Sequence, residues 1–387
     1  MTVPSPPLER FRLRPVGAEE TRGSSWHLLV NAGIALVLAG LVLIALDAFS
    51  VARLSVLGFA VLLGVTYVSS RLREGRRWAF DRLMTLLVVG AFCVAMIPLV
   101  SLLGQVIRRG LGRLIGPVPL RFWTTDMSGV IGGMDSGGIS HAIVGTLLIT
   151  LGASIISVPI GLLTSIFLVE YARDGVLRPL GRAITFLVDV MTGIPSVVAG
   201  LFGLSLFVTL SGDPGLRMGL MGSVALSVLM IPTVVRSSEE MLHLVPSDLR
   251  EAAYALGVPR WATILKVVLR TAIPGLTTAV TLAIARVIGE TAPLLLTVGA
   301  LPMLNADVFH GRMQTLPTYI NSQYRAGNAV CNADTITNPI TQATYACSTS
   351  VNFDRAWAAA LTLILLVMLL TALARLVGRW FSPRTGR

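Results

Sequence analysis

The stretch TLAIARVIGETAPLLLTVGA, residues 281–300, is a run of apolar and small residues interrupted by two charges, Arg286 and Glu290. A charged side chain at the centre of a bilayer costs on the order of 3 kcal/mol even on lenient insertion scales, so a span that keeps two of them needs a reason. Four residues apart on a helix, the two can pair directly. Ala279, Ala283, Arg286, Glu290, Pro293 and Thr297 recur at steps of three and four, which predicts one small, polar helix face. Two readings are open. In the first, an ion pair only fixes helix packing, and Ala285 and Gly289, four apart, let another helix come close. In the second, the face lines a pathway for an anion. Ionisable residues inside membranes commonly do so, and the planar guanidinium fork is the side chain best fitted to hold phosphate oxygens in pairs.

A second stretch of this kind is TGIPS, Thr192–Ser196. Pro195 predicts a kink or a helix break, and backbone groups freed at a break survive only inside protein or beside a watery cavity. The hydroxyls of Thr192 and Ser196 either belong to a plain proline kink or face the same pathway. Soluble chemistry is otherwise nearly absent. The four histidines, at 27, 141, 243 and 310, show no paired metal-ligand spacing, so no metal site is expected. The only lysine, Lys266, follows Leu265, which excludes a Gly-Lys-Ser/Thr phosphate cradle; any nucleotide must be bound by another chain. No catalytic residue and no cofactor are expected on this chain. An intramembrane serine protease lacks its serine motif and a histidine on a second span. The Gly-rich SGVIGGMDSGG, residues 128–138, lacks a strand–turn–helix setting and reads as an external loop.

The elements that must carry these residues are membrane helices. The chain is 54% hydrophobic and 13% charged, against roughly 25% charged in a soluble domain. Apolar runs near the roughly 20-residue crossing length predict an all-α polytopic membrane protein of about eight spans, near 27–46, 51–69, 83–103, 141–169, 183–210, 219–235, 272–299 and 356–378. The 141–169 and 183–210 runs are long enough that part of each is tilted or outside the bilayer. The net charge of +11 comes from arginines that punctuate apolar runs instead of forming one basic face, which argues against nucleic acid and for cytoplasmic loops.

With both termini in the cytoplasm, the basic clusters 71–82 and 236–270 fall inside. Only the 104–140 connection, with Arg108, Arg109, Arg113 and Arg121, runs against the rule. The same orientation puts residues 300–355 outside. There Cys331 and Cys347 flank a polar stretch in a compartment where a disulfide persists; the alternative is two free thiols. Cys93, inside a span, reads as a packing residue.

The longest cytoplasmic loop, 236–271, contains a turn at Pro246-Ser247-Asp248 with Ser247 or Asp248 available as N-cap. A short helix over Glu251–Leu256 follows, stopped by Gly257 and Pro259. A second amphipathic run, Trp261–Leu269, returns the chain to the membrane. Such a loop either lies on lipid or fits a groove on a cytoplasmic partner.

EAAYALGVPRWATILKVVL, in this loop, resembles the EAA loop of ABC importer permeases, with Glu251, Ala252, Ala253 and Gly257 matching. HAIVGTLLIT, VEYARDG, TGIPSVVAGLFG, MIPTVVRSSEEML, VPSDLREAAYALG, ARVIGETAPLLLTVGA and LPTYI, in order through residues 140–320, resemble the PstA family of phosphate ABC importer permeases. The resemblance implies a six-helix permease core over 71–380, with the 27–70 pair of helices additional to it and 1–26 a cytoplasmic tail. It implies a multi-pass subunit of a bacterial inner membrane that imports phosphate, with Arg286, Glu290, Thr291, Thr192 and Ser196 along the pathway. The implied partners are a PstC-like second permease, two PstB-like ATPase subunits that hold ATP and Mg, and an external phosphate-binding protein. The paired PstC-type subunit and a permease for another oxyanion stand as alternatives. An ion-coupled secondary transporter or channel is the different-class alternative, and it would act without partner chains. The family loop commonly has Pro where this chain has Arg270, and the 325–354 insertion is unusual for the family.

Overall fold

The computed structural model describes residues 21–46, 50–115, 121–172 and 175–381 of the 387-residue chain. Most of the expected N-terminal tail, and Arg387 at the other end, lie outside the described residues. Helices α1 (Thr21–Ala45) and α2 (Val51–Glu74) are followed by the long α3 (Arg76–Leu114) and a single turn, α4 (Arg121–Thr124). Helix α5 (Ser140–Ile166) ends in a π-helical turn, Phe167–Tyr171; α6 (Arg178–Thr192), α7 (Ser196–Ser211) and α8 (Gly219–His243) follow. The loop helices are α9 (Ser247–Ala255) and α10 (Arg260–Thr263). From α10 the chain runs through a second π turn, Ile264–Val268, into α11 (Leu269–Val287). The rest is α12 (Ala292–Thr297), α13 (Leu316–Ala326), an antiparallel hairpin of β1 (Thr335–Thr337) and β2 (Thr344–Ala346), and α14 (Val351–Phe381).

Among the described residues six helices are long and apolar enough to cross a membrane, Leu29–Ala45 is a shorter apolar helix, and α6 with α7 forms a bent pair. Each expected span falls on one of these, with two corrections. The 183–210 run is two helices bent by 105° at the Gly193–Pro195 break. The 272–299 run ends its helix at Val287 and resumes only as the short α12. The 300–355 segment, read as a loop, holds α13 and the hairpin.

Two compact units divide at Leu102/Leu103, inside α3. In the first, α1 packs on α2 and Gly90 of α3 lies against the Phe59 ring. In the second, the remainder of α3 packs on α14, with Gly110 against the Trp357 carbonyl and Leu361.

The centre of the second unit is the α5–α8 pair. Buried small and hydroxyl residues recur down α5: Gly145, Thr146, Ala153, Ser157, Gly161 and Ser165. Small residues let membrane helices approach closely, because lipid gives no hydrophobic drive for helix association and contact must come from fit. Gly152 accordingly meets Ser223, and Gly161 meets Val234. Ser223 Oγ donates to the Ile149 carbonyl at 3.1 Å, so its hydroxyl is satisfied across the interface.

At one end of this unit the hairpin carries a Cys331–Cys347 disulfide with Cα atoms 5.8 Å apart. Gly133 of the Gly-rich stretch lies against both sulfur atoms, and Asp135 N–H donates to Ala346 O at 2.8 Å. Gly133 thus makes room for the disulfide. Asp126 fixes the neighbouring turn. Burial acts to raise its carboxyl, but N–H donors from Ser128 and Leu304 outweigh it and hold it below the usual carboxylate range.

Candidate functional site

Arg286 occupies the last turn of α11 and is exposed. The helix stops one residue later for a local reason. Pro293 has no N–H to donate to the Gly289 carbonyl, and Gly289 is itself a weak helix former. Residues 288–291 therefore form a break, and Arg286 and Glu290 do not share a continuous helix face. No ion pair of 4.0 Å or less joins them among the described residues. Arg286 Nη1 instead donates to Oγ1 of Thr233 on α8 at 3.4 Å. The close approach expected at Gly289 is also absent, since a Cβ there would meet nothing within 4 Å.

Thr233 follows Pro232, inside α8, and one turn further Arg236 pairs with Glu239 at 2.9 Å and with Asp189 of α6. Arg286, Thr233 and Arg236 thus place a polar chain between α11 and α6. Thr192 lies three residues beyond Asp189 on α6. It is exposed, and its hydroxyl bonds back to the Val188 carbonyl at 2.9 Å.

Ser196 is the first residue of α7, and one turn later Gly200 packs on α12, where a Cβ would stand 2.6 Å from Pro293 Cα. The two helix breaks, 193–195 and 288–291, are therefore neighbours through a glycine contact. Glu290 and Thr291 are half-buried at the second break. No hydrogen bond joins Thr192, Ser196 or Thr291 to Arg286 among the described residues.

The 236–271 loop is built at the other end of α5. Helix α9 starts at Ser247, four residues before the expected Glu251; Pro246 holds the N-cap place, and neither Ser247 nor Asp248 caps it. Its C-terminus is a Schellman turn. Gly257 adopts φ +75°, its N–H donates to Tyr254 O at 2.9 Å, and Val258 N–H donates to Ala253 O at 3.1 Å. Ala253 is buried, while Glu251, Ala252 and Gly257 are exposed. Leu256 and Trp261 are exposed beside them at 83% and 59%, an apolar surface without a cover among the described residues.

The loop is mounted on the two π turns. Val169, Leu242, Val245, Val268 and Ala272 form one buried cluster. Beside it Glu170, 5% exposed, accepts from Arg250, and its backbone carbonyl accepts from Arg260, whose guanidinium stacks over Tyr171. Sequence reasoning passed over Glu170, Arg250, Arg260, Asp189 and Thr233. For Glu170 the signal was a lone acid at the end of the apolar run 141–169.

Comparison with known proteins follows the same lines. Residues 157–387 match the family described as "Binding-protein-dependent transport system inner membrane component". The chain belongs to that family. This permease is 41% identical over 312 residues to the phosphate transport system permease protein PstA 1 of Mycobacterium tuberculosis strain H37Rv, covering 81% of this chain and 91% of that protein. It is 41% identical to PstA of Mycobacterium leprae, over 76% and 86% of the two chains. Among solved structures, a bacterial alginate ABC transporter in complex with an alginate-bound periplasmic protein superposes with a TM-score of 0.52 at 14% identity, covering 81% of this chain and all of that one. That likeness concerns fold alone. The permease is thus a multi-pass membrane subunit of an ABC transporter.

Proposed function

We propose that this permease conducts inorganic phosphate into the cytoplasm as one half of a translocation pathway. The other half would be a second, PstC-like permease, with two PstB-like ATPase subunits binding ATP and Mg below and a phosphate-binding protein delivering from outside. The names of the mycobacterial relatives support the substrate. The observation that carries the reading in this chain is Arg286: an exposed guanidinium with no carboxylate in ion-pair distance among the described residues, at a helix break that adjoins a second break. An Arg so placed holds donors open for the paired oxygens of an anion. Glu290 and Thr291 stand on the same break, so an acceptor and a hydroxyl are available to the protonated oxygen of phosphate. Thr192 and Ser196 extend the polar path along the first break.

The orientation belongs to this proposal. The disulfide end faces the oxidising side, and the α9–α10 loop, with both termini, faces the cytoplasm. Ala253 anchors α9, while Glu251, Ala252 and the exposed Leu256 and Trp261 meet the ATPase. ATP-driven closure of the ATPases reaches α5 and α11 through the π turns that the loop grips. Uptake by the reconstituted complex tests the substrate reading. Arg286→Ala is expected to abolish phosphate uptake with assembly unchanged. Near-normal uptake by that variant refutes the pathway role.

A further inference from the structure

Three of the four arginines of the 104–140 connection, which defy the charge rule, converge on one cavity at the disulfide end. It has a volume near 400 Å³ and is lined by Arg109, Arg113, Arg121, Asp135, Ser136 and Asp354, among others. Arg113 is neutralised by Asp135 at 2.9 Å and also donates to the Ser136 carbonyl. The buried Arg355 donates from Nε and Nη2 to the same Ser136 carbonyl, at 3.1 and 2.8 Å, and makes no ion pair among the described residues. Arg109 lies over the Trp357 ring and Arg121 over Tyr345, whose hydroxyl accepts from it at 3.0 Å; neither has an acid within ion-pair distance among the described residues.

The aromatic supports hold both guanidinium planes without neutralising their charge. The three lining arginines outnumber the two lining aspartates, so the cavity keeps a net positive charge among the described residues. Two polar atoms of lining residues, Arg113 Nε and Ser136 Oγ, are moreover buried without a hydrogen-bond partner. Buried orphan donors of this kind commonly mark a water or ion site.

We propose that this cavity binds a phosphate-type oxyanion, held by Arg109 and Arg121 beside Arg113. The same chemistry is offered by free inorganic phosphate and by the headgroup of an anionic lipid such as phosphatidylglycerol. The site is separate from Arg286: the cavity sits against the start of α14 and the disulfide hairpin, and Arg286 contacts the middle of α8.

The test uses the full-length chain carrying Arg286→Ala, so that the pathway residue contributes nothing, in nanodiscs of phosphatidylcholine. One arm titrates radiolabelled inorganic phosphate; the other replaces a fraction of the lipid by phosphatidylglycerol and counts retained lipid by native mass spectrometry. Each is repeated with Arg109→Gln/Arg121→Gln, and with Arg121→Gln alone in case the pair destabilises the chain. Saturable binding in one arm, weakened about tenfold or more by the substitutions, is expected for loss of charge-assisted contacts. The arm that responds identifies the source. Equal binding by substituted and parent chains in both arms overturns the proposal. So does a result in which neither anion binds but the substitutions abolish association of an external binding protein, because the cavity is then a protein dock.

Discussion

Arg250 Nε and Nη2 both donate to Oε1 of Glu170, at 3.1 and 2.9 Å, across eighty residues of sequence. Arg250 also donates to the Leu242 and Val245 carbonyls, at 3.1 and 2.7 Å, so one guanidinium ties the end of α8, the start of α9 and the end of α5 together. Breaking a buried pair by removing one partner costs about 3 kcal/mol or more, since the other charge stays buried and unpaired. Glu170→Ala and Arg250→Ala should each loosen the loop and depress ATP-driven uptake. The double variant should be no worse than either alone, because the interaction is already gone. Additive losses in a double-mutant cycle on uptake would show that the two residues act separately.

The Schellman turn at Gly257 makes a sharper prediction. At φ +75° with open space around the position, a side chain suffers from backbone strain and not from collision. Gly257→Val should therefore uncouple the ATPase from transport, whereas Gly257→Asn, which tolerates the left-handed region, should retain much of it. Glu251→Lys should weaken docking without harming the fold, since Glu251 is exposed. ATPase stimulation measured on the assembled complex decides between these outcomes.

Gly200 separates pathway geometry from coupling. A Cβ there would stand 2.6 Å from Pro293 Cα and 3.1 Å from the Pro293 carbonyl oxygen, and backbone cannot swing aside as a side chain can. Gly200→Val should push the two helix breaks apart, costing about 1–3 kcal/mol of packing, and reduce uptake while the α9–α10 loop still binds its ATPase. Co-purification of the ATPase at the parent level together with lost uptake is the expected pair of results.

What the sequence made legible and what it hid have physical reasons. Length and apolarity are additive along the chain, so the spans and the all-α class were readable from residues 27–46 through 356–378. Periodicity, by contrast, assumes an unbroken helix. It put Arg286 and Glu290 on one face, although Gly289 and Pro293 already carried the signal for a break. The Gly257 stop was visible because glycine there is a purely local device. The Glu170–Arg250 pair was not, because its members are eighty residues apart and only the α5–α8 packing brings them together. The cavity arginines were visible as an exception to the charge rule, but their common destination depends on how the hairpin folds back over 128–138.

Orientation is open to a labelling experiment. The Cys331–Cys347 disulfide closes a loop with a sequence separation of 16, which contributes roughly 3 kcal/mol in the chain-entropy account. After mild reduction of intact cells, a membrane-impermeant thiol reagent should label both cysteines, and a tag after Arg387 should be reached only after lysis. Labelling of the cysteines only in lysed cells would invert the chain. Cys331→Ser/Cys347→Ser should leave the membrane helices assembled and lower the resistance of the hairpin to proteolysis.

The last prediction concerns Glu290, which stands on the break after Arg286 without pairing to it. A carboxylate beside an anion path repels every anion by charge, so its presence needs a compensating contact. Phosphate near neutral pH keeps a proton that it can donate to the Glu290 carboxylate; sulfate has none and meets repulsion alone. A site built to accept such a proton rejects the analogue that lacks it more strongly than size can. Glu290→Gln removes the charge but keeps the shape. It should slow phosphate uptake by about tenfold, the value of one charged hydrogen bond, and narrow phosphate's advantage over sulfate. Arg286→Lys should impair both anions alike, because the charge remains while the planar fork is lost. The assay needs the reconstituted complex and a binding protein able to deliver either anion, so that selection at delivery is taken out of the comparison. If Glu290→Gln leaves the phosphate-to-sulfate ratio of uptake rates unchanged, Glu290 has no part in selection.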